Sequence, residues 1–92
     1  MDIKNSKGIF VGGASGFCRA TAEQFRAKGG DVAILDLEAS DGAAVAESLG
    51  GSFHPCDVTD YAGMDAVIGA AVEQLGGLHF VVNTAGGGNR AV

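Results

Sequence analysis

An α/β domain built on one parallel sheet is the fold class that this sequence predicts, and two observations predict it. Short apolar runs alternate with longer segments of helical periodicity, and glycine clusters punctuate the joints: Gly12-Gly13, Gly29-Gly30, Gly50-Gly51, Gly76-Gly77 and Gly86-Gly87-Gly88. The apolar runs are also continuous rather than alternating, which suits strands covered on both faces.

The strands are expected at Ile9-Phe10-Val11, at Val32-Ala33-Ile34-Leu35 ending on Asp36, at Ser52 to Cys56 ending on Asp57-Val58, and at Leu78 to Val82 ending on Asn83. The first helix is expected from about Ser15 to Lys28, with Cys18, Ala22 and Phe25 on one stripe. The second runs from about Ser40 to Leu49, with Val45, Ala46 and Leu49 inward. The third is the clearest, because Met64, Val67, Ile68, Ala71, Val72 and Leu75 share one face. Thr59 is its expected N-cap, with Asp60 in the first turn and Gly76 just past the end. The order is thus β-α-β-α-β-α-β. Right-handed crossovers and a doubly wound, Rossmann-type arrangement give strand order 3-2-1-4, with ligands bound at the carboxyl ends of the strands near the reversal between strands 1 and 4.

Composition narrows the partners. With 92 residues the chain makes one small domain, and 47% hydrophobic against 18% charged residues is a globular balance. The formal net charge of -5 disfavours nucleic acid and anionic membrane surfaces, which both require a basic patch. A dinucleotide remains possible, because backbone N–H groups can hold its phosphates. The two cysteines, Cys18 and Cys56, form no CxxC pair and have no histidine cluster near them, so neither a metal site nor a disulfide framework is expected and a reducing cytoplasm fits. The first residues lack a signal-type apolar core, and no apolar stretch is long enough to span a membrane.

The segment Val11-Gly12-Gly13-Ala14-Ser15-Gly16-Phe17-Cys18 carries the functional signal. It leaves a predicted strand and opens a predicted helix, the context in which a glycine loop lets the backbone approach a pyrophosphate at a helix N-terminus. Its spacing resembles the T-G-x-x-x-G-x-G of the short-chain dehydrogenase/reductase family. Asp36, Asp57-Val58 and Asn83-Thr84-Ala85-Gly86 stand at the ends of strands 2, 3 and 4, where that family has its other signatures, the last similar to N-N-A-G. All 92 residues can be laid on the family's first half. The details look most like the 3-hydroxyacyl-CoA dehydrogenase type 2 branch.

The resemblance implies an NAD site, residue by residue. Gly12 and Gly16 would shape the loop. Ser15 and the backbone at Phe17 would meet ribose and phosphates. Asp36 would accept from the adenosine ribose hydroxyls and repel a 2′-phosphate, favouring NAD over NADP, and neither Phe17 nor Leu37 supplies a basic group for that phosphate. Asp57 and Val58 would flank the adenine; Asp57 also fits a plain role in starting the third helix. Asn83, Thr84, Ala85 and Gly86 would line the ribose and pyrophosphate and support the sheet. His54 reads as a surface strand residue and Cys56 as a small packing residue.

Two departures stand out. Cys18 occupies the place of the family's third glycine, where a side chain is expected to crowd the pyrophosphate. Val11 replaces the family's threonine, and Thr84 offers a hydroxyl in the turn after strand 4. The family's catalytic serine and Tyr-x-x-x-Lys pair follow its N-N-A-G turn; the only tyrosine here is Tyr61, with Asp65 four residues on. The 92 residues are therefore expected to be a truncated dinucleotide-binding half that binds without catalysing. A sheet ending at strand 4 is also expected to self-associate through its exposed edge.

Overall fold

The computed structural model describes residues 3–12, 16–38, 40–57 and 59–83. In chain order they form β1 (Lys7–Val11), α1 (Gly16–Ala27), β2 (Asp31–Asp36), α2 (Gly42–Leu49), β3 (Ser52–Pro55), α3 (Tyr61–Leu75) and β4 (Phe80–Asn83). The four strands make one sheet in the order β3-β2-β1-β4, and every pairing is parallel. The expected topology is the observed one.

Alternation along the central strands divides the core in two. Phe10, Val32 and Ile34 face α1 and α2, where they pack with Cys18, Ala22, Phe25, Val45 and Ala46. Ile9, Val11, Ala33 and Leu35 face the other way and meet Ala71, with Met64, Val67, Ile68, Val72 and Leu75 of α3 half-buried around them. Strands covered on both faces need apolar side chains at every position, which is why β1 and β2 read as unbroken apolar runs. On the α1 side the ring of Phe25 meets those of Phe10 and Phe80 edge-on, each at 5.5 Å between centroids.

Element ends follow local chemistry. Gly50 and Gly76 stop α2 and α3 in the left-handed conformation, at φ 68° and 83°. The α3 cap differs from the expected one: Asp60, not Thr59, accepts from the Gly63 amide, at 3.0 Å. Thr59 is drawn instead into a turn with Asp57, to which it gives both its amide and its hydroxyl. Helix α2 starts at Gly42 rather than Ser40, and the Ser40 hydroxyl takes the Gly42 amide at 3.1 Å. Strand β4 begins at Phe80, two residues later than expected. His54, on edge strand β3, is half-buried and shares a 2.9 Å hydrogen bond with the Ser52 hydroxyl. Burial holds its imidazole below the ordinary value.

Two glycines on α3 and before β3 make opposite predictions. A Cβ on Gly51 would lie 2.5 Å from the Val32 carbonyl oxygen, a backbone atom that cannot step aside. Gly51→Ala is expected to lower stability by about 1–3 kcal/mol. A Cβ on Gly69 meets nothing within 4 Å, so Gly69→Ala should raise stability by about 0.5–1 kcal/mol through helix propensity alone. Urea unfolding of both variants reads the two signs.

Candidate functional site

The carboxyl ends of all four strands lie on one edge of the sheet, and the loops that leave them are tied together by backbone hydrogen bonds. The Gly12 amide, one residue past β1, donates to the Leu35 carbonyl at 2.7 Å. The Cys56 amide, one residue past β3, donates to the Asp36 carbonyl at 2.8 Å. Asn83, the last residue of β4, stands opposite Val11. Gly12, Asp36, Asp57 and Asn83 are thereby brought to one end of the sheet, as expected.

The glycine positions are those that need to be glycine. Gly12 and Gly16 have φ of 80° and 62°, left-handed values that other residues adopt at a cost. A Cβ built on Gly16 meets nothing within 4 Å among the described residues. No acidic side chain occupies the first turn of α1. Its free N–H groups and positive dipole end can hold an anion there. Phe17 follows with 73% of its surface exposed. Ser15, Val58, Thr84, Ala85 and Gly86 lie outside the described residues.

Cys18 lies on the inward stripe of α1 with Ala22 and Phe25, as expected. Its thiol is fully buried, with Sγ 3.6 Å from the Val11 carbonyl and 3.9 Å from the Val82 carbonyl. The side chain points at β1 and β4 under the helix. It fills the space between helix and sheet.

A groove of about 380 Å³ opens beside Asp36, lined by Leu37, Glu38, Pro55, Cys56 and Asp57. Among the described residues no basic side chain lines it. The Asp36 carboxylate accepts from the Leu37 amide at 2.8 Å, and Leu37 is 55% exposed. The Thr59 hydroxyl, at 2.7 Å, and amide, at 2.9 Å, hold the Asp57 carboxyl below its ordinary value. Burial and then the Asp36 and Asp57 carboxylates push the Cys56 thiol up. Glu38, Pro55 and Cys56 were not singled out from sequence as groove residues; their only signal was adjacency to Asp36 and Asp57. A second cleft, of about 300 Å³, lies at the opposite end of the sheet between Asp31, Val32, Gly50, Gly51, Ser52, Gln74 and Leu75, and none of the described site residues lines it. Among the described residues no group of three or more His, Cys, Asp or Glu side chains could hold a metal ion, and no helix is long and apolar enough to cross a membrane.

The two thiols should respond differently to a thiol reagent. In the native protein Cys56 should react, more slowly at neutral pH than a free thiol because its thiolate is disfavoured. Cys18 should react only after unfolding. Mass spectrometry of the alkylated native protein reads this, and labelling at Cys18 would contradict the packing described.

The family model for enoyl-(acyl carrier protein) reductase matches residues 12–92. The 3-hydroxyacyl-CoA dehydrogenase type-2 of Drosophila melanogaster is 42% identical over 86 residues, which cover 91% of this chain and 34% of that protein. The short-chain dehydrogenase reductase ATA1 of Arabidopsis thaliana is 38% identical over 78 residues, covering 85% of this chain and 29% of that protein. The chain spans about a third of the length of the curated relatives it matches. In fold it is similar to a crystal structure of the 3-ketoacyl-(acyl-carrier-protein) reductase from Brucella melitensis complexed with NADH, with a TM-score of 0.80 at 23% identity over 86% of this chain and 33% of that one. The match across residues 12–92 takes in the glycine loop and the carboxyl ends of strands β2, β3 and β4, and the chain belongs to the short-chain dehydrogenase/reductase family of oxidoreductases.

Proposed function

We propose that this chain holds NAD along the carboxyl edge of its sheet and is the dinucleotide-binding part of a short-chain oxidoreductase. The observation that carries the reading is Asp36. It ends β2 next to Leu37, and the groove that Leu37, Glu38, Pro55, Cys56 and Asp57 line has acidic and apolar walls and no basic side chain among the described residues. A ribose diol can donate to such a carboxylate, whereas a 2′-phosphate would meet like charge. The left-handed Gly12 and Gly16 and an α1 N-terminus with no acidic residue in its first turn fit a pyrophosphate. The groove between Leu37 and Asp57 fits an adenine. The Phe17 backbone meets ribose and phosphates and Asn83 lines ribose and pyrophosphate, and Ser15, Val58, Thr84, Ala85 and Gly86 complete the set by sequence position. The NADH complex of the Brucella melitensis reductase supports this choice of ligand.

When bound, the nicotinamide supplies hydride exchange with an alcohol or carbonyl. The 92 residues orient the dinucleotide and set its selectivity. Hydride transfer needs a proton donor within reach of the reacting oxygen. Tyr61 opens α3 and has Asp65 four residues on, so it does not provide the Tyr-x-x-x-Lys pair. We therefore assign catalysis to residues outside these 92.

Titration with NADH, followed by its fluorescence, tests the reading. NADH should bind the 92-residue chain more tightly than NADPH, without turnover of a hydroxyacyl substrate. Asp36→Ala should weaken NADH roughly tenfold or more and narrow the gap to NADPH. No binding at millimolar NADH would sink the reading, and equal affinity for NADPH would sink the choice of NAD.

The same chain in isolation is proposed to self-associate. Val81 on β4 is 53% exposed and Leu78 beside it 40% exposed, and among the described residues no strand pairs with the outer side of β4. Sedimentation at micromolar concentration should show species above 9.2 kDa; a clean monomer would count against it.

A further inference from the structure

The amino end of the sheet carries an arrangement that the NAD reading does not use. His79, the residue before β4, makes two hydrogen bonds with Lys7, the first residue of β1. Its amide donates to the Lys7 carbonyl at 2.9 Å, and its ring Nδ1 accepts from the Lys7 amide at 2.9 Å. A side chain thus supplies the acceptor that a further strand residue would supply in a ladder. Nδ1 can accept only in the tautomer that carries its proton on Nε2.

Strand β4 depends on this bond more than its neighbours would. It has four residues, and among the described residues it pairs only with β1. None of its side chains is fully buried. Lys7, by contrast, is held: its Nζ lies 2.5 Å from the Asp31 carboxylate on β2, which also takes Arg26 of α1 at 3.2 Å. Those contacts hold the Asp31 carboxyl below its ordinary value, the Lys7 hydrogen bond most of all. His79 is therefore fastened to a braced point. From there β4 climbs beside β1 in the register Gly8 with Phe80 through Val11 with Asn83. A slip of one residue would move Asn83 by about 3.3 Å and turn every β4 side chain to the other face.

We infer that His79 is a positioning residue for the dinucleotide site: its ring bond to the Lys7 amide sets the β4 register that stations Asn83 opposite Val11, next to Gly12. The inference rests on the NAD reading, and it assigns to a residue at the far end of the sheet a part in the affinity of the near end.

Asparagine is the informative replacement. Its Oδ1 is as many bonds from the backbone as Nδ1 of histidine, and it accepts. NADH titrations of the wild-type chain, His79→Ala and His79→Asn, at a temperature where circular dichroism shows all three folded, test the inference together with hydrogen exchange at the Lys7 amide. His79→Ala should weaken NADH roughly three- to tenfold and speed Lys7 exchange, and His79→Asn should restore both. Val45→Ala, which loosens the α2 side of the core, should lower stability and leave NADH affinity unchanged at that temperature. Wild-type binding with unaltered affinity in His79→Ala, or no rescue by His79→Asn, would overturn the inference alone. Absence of NADH binding in the wild-type chain would overturn the NAD reading and the inference with it.

Discussion

Strand β1 is the constraint on which the rest of the structure depends. It is hydrogen-bonded on one side to β2 and on the other to β4. From Gly8 to Val11 it is buried throughout. Both apolar clusters are anchored on its side chains, Phe10 to one face and Ile9 and Val11 to the other. The chain leaves β1 into the glycine loop, so the position of that loop is the position of the most buried strand in the molecule. A parallel sheet of this kind cannot leave one face to water, which is why α1 and α2 must lie on one side and α3 on the other.

Much of this was legible in the sequence because two periodicities were clean. The unbroken apolar run of Val32 to Leu35 and the stripe of Met64 to Leu75 each admit one reading, and strand order followed from handedness rules. Element ends were harder. Asp57, Thr59 and Asp60 are three capping-type residues in four positions, and only the paired turn of Asp57 with Thr59 leaves Asp60 free to cap α3. Cys18 belongs both to the loop motif and to the inward stripe of α1, and the structure shows the stripe. As the third residue of α1 it falls on the same stripe as Ala22 and Phe25, and that stripe faces the sheet. The groove residues Glu38, Pro55 and Cys56 were hidden because they become neighbours only when β2 and β3 end at the same height.

The two ends of the sheet are built differently. At the amino end side chains do the fastening: Lys7, Asp31 and Arg26 pair by charge, and His79 lends a ring nitrogen. At the carboxyl end the backbone does it, through the Gly12 and Cys56 amides. Acidic side chains there, at Asp36 and Asp57, are left at the surface with local amide and hydroxyl partners.

The bond from the Gly12 amide to the Leu35 carbonyl has a further consequence. It carries the β1 ladder one residue beyond the strand, into a left-handed glycine that a free chain would sample among many conformations. The first residue of the loop is thus already ordered before anything arrives. A guest at this edge finds part of its host preorganised, and less conformational entropy is lost at the moment of association.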